Sequence, residues 1–239
     1  MEIDARGLDF AALNRAIRQG GEKITVKNCL GQRFIASGMG GIELTLEGIP
    51  GNALGAYLGG AHITVCGNAQ DAVGDTMNAG EIVIRGNVGD TVGYAMRDGA
   101  IYVRGNAGYR AGIHMKEYKE KKPVLVIGGR AGSFLGEYQA GGVIVVLGLG
   151  NDGKPMIGDY PCTGMHGGRM YLRGEVDASV FPRGVTARVA TEEDKQVLFP
   201  LLERFCALFG YDAAALRADT YTLVTPDSKN PYKQMYVGN

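Results

Sequence analysis

The chain has 239 residues, and its 25 lysines and arginines are balanced by 25 aspartates and glutamates. This balance argues against nucleic acid or an anionic membrane as the main partner. Glycine is the unusual residue, because its 39 positions are about twice the ordinary share. The glycines lack the three-residue period of collagen, which excludes that class.

No targeting or membrane segment is predicted. Acidic residues stand at Glu2 and Asp4, and the longest apolar run, residues 143–147, is too short to cross a bilayer. The cysteines form no C-x-x-C pair; they are Cys29, Cys66, Cys162 and Cys206. We therefore expect a cytoplasmic chain with reduced thiols.

A short helix is the first element expected in chain order. Residues 8–19 place Phe10, Leu13 and Ile17 on one helical face, and Gly20 and Gly21 follow them. We assign residues 1–24 to an N-terminal cap.

Residues 25–190 are built from a repeat of about twenty residues. The segment EIVIRGN at 81–87 recurs as AIYVRGN at 100–106 and as HITVCGN at 62–68. Its glycine extends to a column of Gly48, Gly67, Gly86, Gly105, Gly128, Gly148 and Gly174. Apolar residues stand two positions before each glycine: Leu46, Val65, Ile84, Val103, Val126, Val146 and Leu172. Others stand four before: Leu44, Ile63, Ile82, Ile101, Val124, Ile144 and Met170. This alternation predicts short β-strands with one buried face.

Two further columns follow each strand. The second glycine column contains Gly55, Gly74, Gly93, Gly112, Gly136 and Gly158, and an apolar column contains Leu58, Met77, Met96 and Met115. The repeat is too short for a βαβ crossover but fits one coil of a parallel β-helix. We therefore predict an all-β fold, a right-handed parallel β-helix of about seven coils, in which Ile63, Ile82 and Ile101 stack on one another.

The repeat is interrupted by insertions at residues 114–122 and 151–168. The first is strongly charged, which favours a solvated loop and leaves a partner contact as the alternative. Residues 191–239 are assigned to a C-terminal helix and tail. The helix spans 191–209, with Thr191 and Asp194 in a capping arrangement. Helices are expected to cover both open ends of the rod.

The helix is expected to bury a stripe of Leu198, Leu201, Leu202, Phe205, Leu208 and Phe209. The tail after Thr220 is predicted to be an irregular arm. It carries Tyr221, Pro226, Pro231, Tyr232 and Tyr236.

One glycine-rich segment matches nucleotide-binding patterns. Residues 148–153 fit G-x-G-x-x-G, and reading on to Lys154 fits G-x-x-x-x-G-K. Both patterns need a helix to start there, but Pro155, Gly158 and Pro161 oppose one. We interpret the segment as an elongated turn of the repeat.

Other residues of reactive type are also assigned structural roles. Cys162 and His166 make at most half a zinc site. His62, His114 and His166 fall in different columns of the repeat, and Cys29 has no histidine placed to activate it. The turn carboxylates are expected to bond backbone; they are Asp71, Asp75 and Asp90. No catalytic, cofactor-binding or metal-binding residue is predicted, and no cofactor.

Several motifs carry a family resemblance. Residues 67–74 (GNAQDAVG), 105–108 (GNAG), 137–148 (EYQAGGVIVVLG) and 164–168 (GMHGG) resemble the C-terminal GXGXG β-helix domain of the glutamate synthase large subunit. The likeness spans roughly residues 5–190. A formylmethanofuran dehydrogenase subunit uses the same repeat and is the alternative.

The resemblance implies a non-catalytic scaffold. In glutamate synthase this domain holds a glutamine amidotransferase module and an FMN- and iron–sulfur-bearing synthase module in relative position for glutamate biosynthesis, an oxidoreductase step of ammonia assimilation. The present chain resembles that domain as a free-standing subunit. Its implied partners are separate amidotransferase and synthase chains, and the resemblance leaves homo-oligomerisation open.

Overall fold

The structure is a computed structural model in which residues 1–228 are described. The strands are β1 (Glu2–Asp4), β2 (Lys23–Leu30), β3 (Glu43–Ile49), β4 (Gly59–Val65), β5 (Ala79–Ile84), β6 (Ala100–Val103), β7 (Val124–Ile127), β8 (Ala140–Val146), β9 (Gly167–Arg173), β10 (Val185–Val189) and β11 (Tyr221–Pro226). The helices are α1 (Phe10–Gln19), α2 (Glu192–Phe209) and α3 (Ala213–Ala218), with a 3-10 turn at Ala178–Val180.

The strands β1 to β9 stack in parallel, each beside the next along the chain. Ile63 pairs with Ile82 and Ile82 with Ile101, which confirms the predicted stack. The chain is a parallel β-helix of about eight turns. The additional turn contains β2. Cys29 of β2 pairs with Gly48, so this first coil has a cysteine at the position of the first glycine column.

The interior consists of apolar columns that run the length of the rod. Leu58, Met77, Met96 and Met115 are fully buried, as their spacing predicts. Gln139 is polar and occupies the same column, also fully buried. Its Nε2 donates to the carbonyl oxygens of Gly141 and Gly142 at 3.2 and 3.3 Å, so the amide closes the turn before β8.

The fifth repeat is shifted by one residue from its predicted register. Val103 pairs with Ile127 and Ile101 with Leu125, so Leu125 and Ile127 point inward. Val126, which was predicted to be inward, lies in the outer apolar cluster instead. Side chains alternate along a strand. Aligning Gly128 instead of Gly129 with the first glycine column therefore reverses the predicted face of every residue in β7.

The second glycine column marks a left-handed backbone position in each coil. Its members Gly55, Gly74, Gly93, Gly112 and Gly136 have φ between 65° and 71°. A Cβ at Gly55 would lie 2.7 Å from Ile82 Cδ1, so both the conformation and the space favour glycine. In the last coil this position belongs to Cys162 (φ 59°), whose N–H donates to the Leu135 carbonyl, and not to Gly158 as predicted.

Helix α1 covers the N-terminal end of the rod, as expected. Leu13 and Ile17 are fully buried against the first coils, whereas Phe10 is exposed and meets Phe34 edge to face. Asn14 fixes the helix to the turn below it. Its Nδ2 donates to the Phe34 carbonyl at 3.1 Å, and its Oδ1 accepts from the Ala36 N–H at 2.9 Å.

A helix was predicted to cover the other end of the rod as well. Helix α2 instead lies across the side of the rod. At its start the Asp194 carbonyl accepts from the Tyr171 hydroxyl in β9, at 2.8 Å. Toward its end Arg204 pairs with Glu81 in β5. The helix therefore crosses five neighbouring strands and covers their outward apolar residues, which include Tyr102, Val126, Val143, Val145 and Tyr171. Burial, together with the Glu81 carboxylate, raises the pKa of Tyr102 to about 12.

The C-terminal end is closed by strands. β11 runs antiparallel beside β9, and β10 runs antiparallel beside β11. Tyr221, Leu223 and Val224 are buried, so the prediction of an irregular arm is wrong for these residues. The strand ends at Pro226, since proline cannot donate to a ladder. Pro231, Tyr232 and Tyr236 lie outside the described residues.

The predicted cap of α2 is present and gives a pH-dependent expectation. Asp194 accepts from the Thr191 N–H at 2.9 Å and from Arg188 Nη1 at 2.6 Å. Arg188, with Thr191, holds the pKa of Asp194 well below its usual range. A lowered carboxyl pKa stabilises the fold fully above the unfolded pKa of about 4, and the effect is lost progressively as pH falls from there through the lowered folded pKa.

We therefore expect Asp194→Asn to cost about 1 kcal/mol of unfolding free energy at pH 7 and less at about pH 2. Urea unfolding at the two pH values measures the difference. Glu192→Gln is the matched control, since the Glu192 side chain is 82% exposed. An equal loss for Asp194→Asn at both pH values would contradict the linkage.

Candidate functional site

The segment that resembles a phosphate-binding loop forms turns and starts no helix. Residues 147–156 contain no regular element, and the Lys154 N–H donates to the Asn151 carbonyl at 2.9 Å. This agrees with its interpretation as an elongated turn. Without a helix N-terminus the segment lacks the aligned N–H groups that a phosphate needs.

The cysteine and histidine side chains considered as candidate site residues have structural roles. Cys162 is fully buried, its Sγ lies 3.7 Å from Met170 Sδ, and burial raises its pKa to about 12. His166 Nδ1 lies 2.9 Å from the Gly164 carbonyl oxygen. Burial also raises the pKa of Cys29 to about 11. Among residues 1–228 no three histidine, cysteine or acidic side chains gather as a metal site.

The turn carboxylates and amides bond backbone in the next coil. Asp71 Oδ1 accepts from the Asp90 N–H at 2.9 Å, and Asp90 Oδ1 accepts from the Tyr109 N–H at 2.8 Å. Asn87 and Asn106 continue a parallel ladder, in which the Asn106 N–H donates to Asn87 Oδ1 at 2.8 Å. Asp75 differs, since it accepts from the Thr76 hydroxyl. Asp71, Asp90 and the asparagines tie coils together, and none of these contacts needs a catalytic explanation.

The three histidines do stand in different columns, but two of them line one cavity. His114 and His166 flank the buried methionine column on opposite sides, whereas His62 lies on β4 away from them. The cavity has a volume of about 360 Å³ and lies between neighbouring turns. We call it the cationic cavity; its lining is Tyr94, Ala95, Arg97, His114, Lys116, Tyr138, Ala140 and His166.

The sequence did not point to Arg97 and Lys116 as residues of this cavity. Only their repeat positions could have pointed to them, because each follows a methionine of the buried column: Met96 and Met115.

Exposed aromatic residues gather on the turns that carry the second glycine column. Phe134 stacks on Tyr160 with ring centroids 5.4 Å apart, and the Arg110 guanidinium lies 4.5 Å from the Phe134 centroid. We call this surface the aromatic face; its exposed rings are Phe34, Tyr57, Tyr94, Tyr109, Tyr138 and Tyr160. The strands covered by α2 form a different side of each coil, so the aromatic face is left open.

The stacked coils, their glycine columns and their buried ladders define a parallel β-helix repeat protein. The chain belongs to the GXGXG family, whose motif matches residues 12–227.

Two comparisons place it among known proteins. It is 45% identical over 248 aligned positions to an uncharacterized protein of Methanocaldococcus jannaschii, covering 98% of this chain and 95% of that protein. It also resembles a chain of the formyltransferase/hydrolase complex from Methylorubrum extorquens, solved with methylofuran. The TM-score is 0.63 at 18% identity, covering 92% of this chain and 89% of the other. At that identity the likeness establishes the fold.

No helix within residues 1–228 has the length and apolar character needed to cross a membrane.

Proposed function

We propose that the chain is a non-catalytic scaffold subunit that holds separate catalytic chains of a multi-subunit enzyme. The observation that carries this is the aromatic face. Tyr57, Tyr109 and Tyr160 are 58%, 55% and 66% exposed on turns that the inter-coil ladder holds in place. Aromatic residues are enriched at protein interfaces, and rigid repeats offer long binding surfaces.

The first candidate assembly is a glutamate synthase. The sequence motifs at 67–74, 105–108, 137–148 and 164–168 support it, through their resemblance to the GXGXG domain of that enzyme. The partners would be a glutamine amidotransferase chain and an FMN- and iron–sulfur-bearing synthase chain. The scaffold itself would bind no flavin, metal or cluster.

The second candidate is a complex of the formyltransferase/hydrolase type. The match over 92% of this chain to a subunit of such a complex favours it. In that assembly the partners would be formyl-transferring and hydrolytic chains, whereas in a formylmethanofuran dehydrogenase they would be redox chains. Both candidates require the same scaffold role and differ in the catalytic chains that bind.

Co-purification tests the scaffold role. The tagged chain is expressed with each pair of catalytic subunits, and we expect one pair to be retained, with no glutaminase turnover from the tagged chain alone. Tyr57→Ser combined with Tyr109→Ser is expected to weaken retention about tenfold or more, because exposed tyrosines anchor interfaces.

Val189→Ser combined with Val197→Ser is the matched control. These residues are also exposed and apolar but belong to β10 and α2. Melting curves of both double variants verify folding. Failure of every catalytic chain to bind, or turnover by the isolated chain, would overturn the proposal.

A further inference from the structure

The cationic cavity has the composition of an anion-binding site. Its lining includes Arg97, Lys116 and two imidazoles, and none of the eight lining residues is acidic. A volume of about 360 Å³ is within the range of small-ligand pockets.

Its two cations lie one coil apart without an acidic partner. The Lys116 N–H donates to the Met96 carbonyl at 3.0 Å, which places Lys116 directly beside Arg97 in the next coil, about 4.8 Å away along the rod. Neither side chain forms an ion pair with any residue of the described range 1–228. Like charges in such a position repel each other, and a shared anion relieves that repulsion.

The acidic residues nearest in sequence do not neutralise them. Asp98 and Glu117 follow the two cations directly but are not among the residues that line the cavity. The Glu117 carboxylate accepts from the Gly142 N–H in β8 at 2.9 Å. The cavity therefore keeps its positive character.

The other side of the cavity is lined by aromatic rings. His114 stacks on Tyr138 with ring centroids 5.2 Å apart and planes 12° from parallel, and Tyr94 meets His114 edge to face. In the cation column Ala140 stands between Lys116 and His166, since its N–H donates to the Met115 carbonyl and the His166 N–H donates to the Gln139 carbonyl. The small alanine leaves the space that a ligand would fill.

We propose that the cationic cavity binds a small organic anion through a carboxylate or phosphate group held by Arg97 and Lys116. Arginine offers a planar fork of donors to such a group, and lysine adds a point charge. The rest of the ligand would contact the side of the His114–Tyr138 stack. This proposal rests on the charges of Arg97 and Lys116 and not on the scaffold role, although Tyr94 and Tyr138 belong to both the cavity and the aromatic face.

Isothermal titration of the full-length chain at low ionic strength tests the site, with citrate, succinate and inorganic phosphate as separate probes and sodium chloride as the control for ionic strength. We expect saturable binding with one ion per chain for at least one probe. Binding of citrate or succinate assigns a carboxylate ligand, and binding of phosphate alone assigns a phosphate ligand. Arg97→Ala and Lys116→Ala are each expected to weaken it about tenfold.

Lys119→Ala combined with Lys121→Ala is the control for total charge, because these lysines lie on the neighbouring excursion outside the cavity. Melting curves without ligand verify that all variants fold. No saturable binding of any probe would overturn the proposal. So would equal affinity in the cavity variants, or an equal loss in the control pair.

Discussion

Replacing Ile82 by aspartate is expected to unfold the chain at room temperature. Ile82 is fully buried at the centre of the rod, with Ile63 and Ile101 directly above and below it. An aspartate there finds no partner in an apolar column, and an unpaired buried charge costs more than about 4 kcal/mol. Because each coil is stabilised by its neighbours, loss of one central coil also removes support from both halves.

Circular dichroism and urea unfolding measure the effect. Thr64→Asp is the matched control, because Thr64 is next to Ile63 in β4 and is only partly buried. Ile82→Val should cost only about 1 kcal/mol, since it removes one methylene. A cooperative melting transition of Ile82→Asp within a few degrees of the native chain would contradict the stacked core.

Ending the chain after Thr220 is expected to destabilise the C-terminal half of the rod. The truncation removes β11, in which Tyr221, Leu223 and Val224 are buried. Each such side chain contributes about 1.5–3 kcal/mol on burial, and a domain has about 5–15 kcal/mol in total. The loss also exposes the edge of β9 and leaves β10 unpaired, which promotes aggregation.

A second truncation after Ser228 isolates the contribution of β11. It keeps β11 and removes only residues 229–239. We expect this chain to be monodisperse on size exclusion and to melt well above the chain ending at Thr220, which aggregates. If the chain ending at Thr220 stays monodisperse with an unchanged melting point, β11 is not part of the cooperative unit.

The repeat predicted the interior well because its signal is redundant. The inward apolar columns and the two glycine columns recur in coil after coil, so the stack of Ile63, Ile82 and Ile101 followed from the period alone. The same logic failed where a coil departs from the period. In β7 the residues Gly128 and Gly129 both fit the glycine column, and only strand pairing selects Gly129.

The site was harder to predict than the fold. Column assignment correctly separated His114 from His166, but it did not show that residues on either side of the buried methionine column meet at one cavity. Arg97 and Lys116 carry no motif in the sequence. They lie in adjacent coils and form no ion pair with any acidic residue of the described range, which is a property of the stack and not of the local sequence.

The sequence by itself determined the β-helix, its coil length, the N-terminal helix α1 and the cap of α2 at Thr191. These features depend on local periodicity and on contacts between residues close in the chain. Tertiary structure alone decided that α2 lies along the side of the rod and that β11 closes its end. An amphipathic helix and an apolar strand each specify a face to bury, but not which surface covers it. The outward Tyr102, Val126 and Tyr171 made the side available to α2, and the unpaired edge of β9 made the end available to β11.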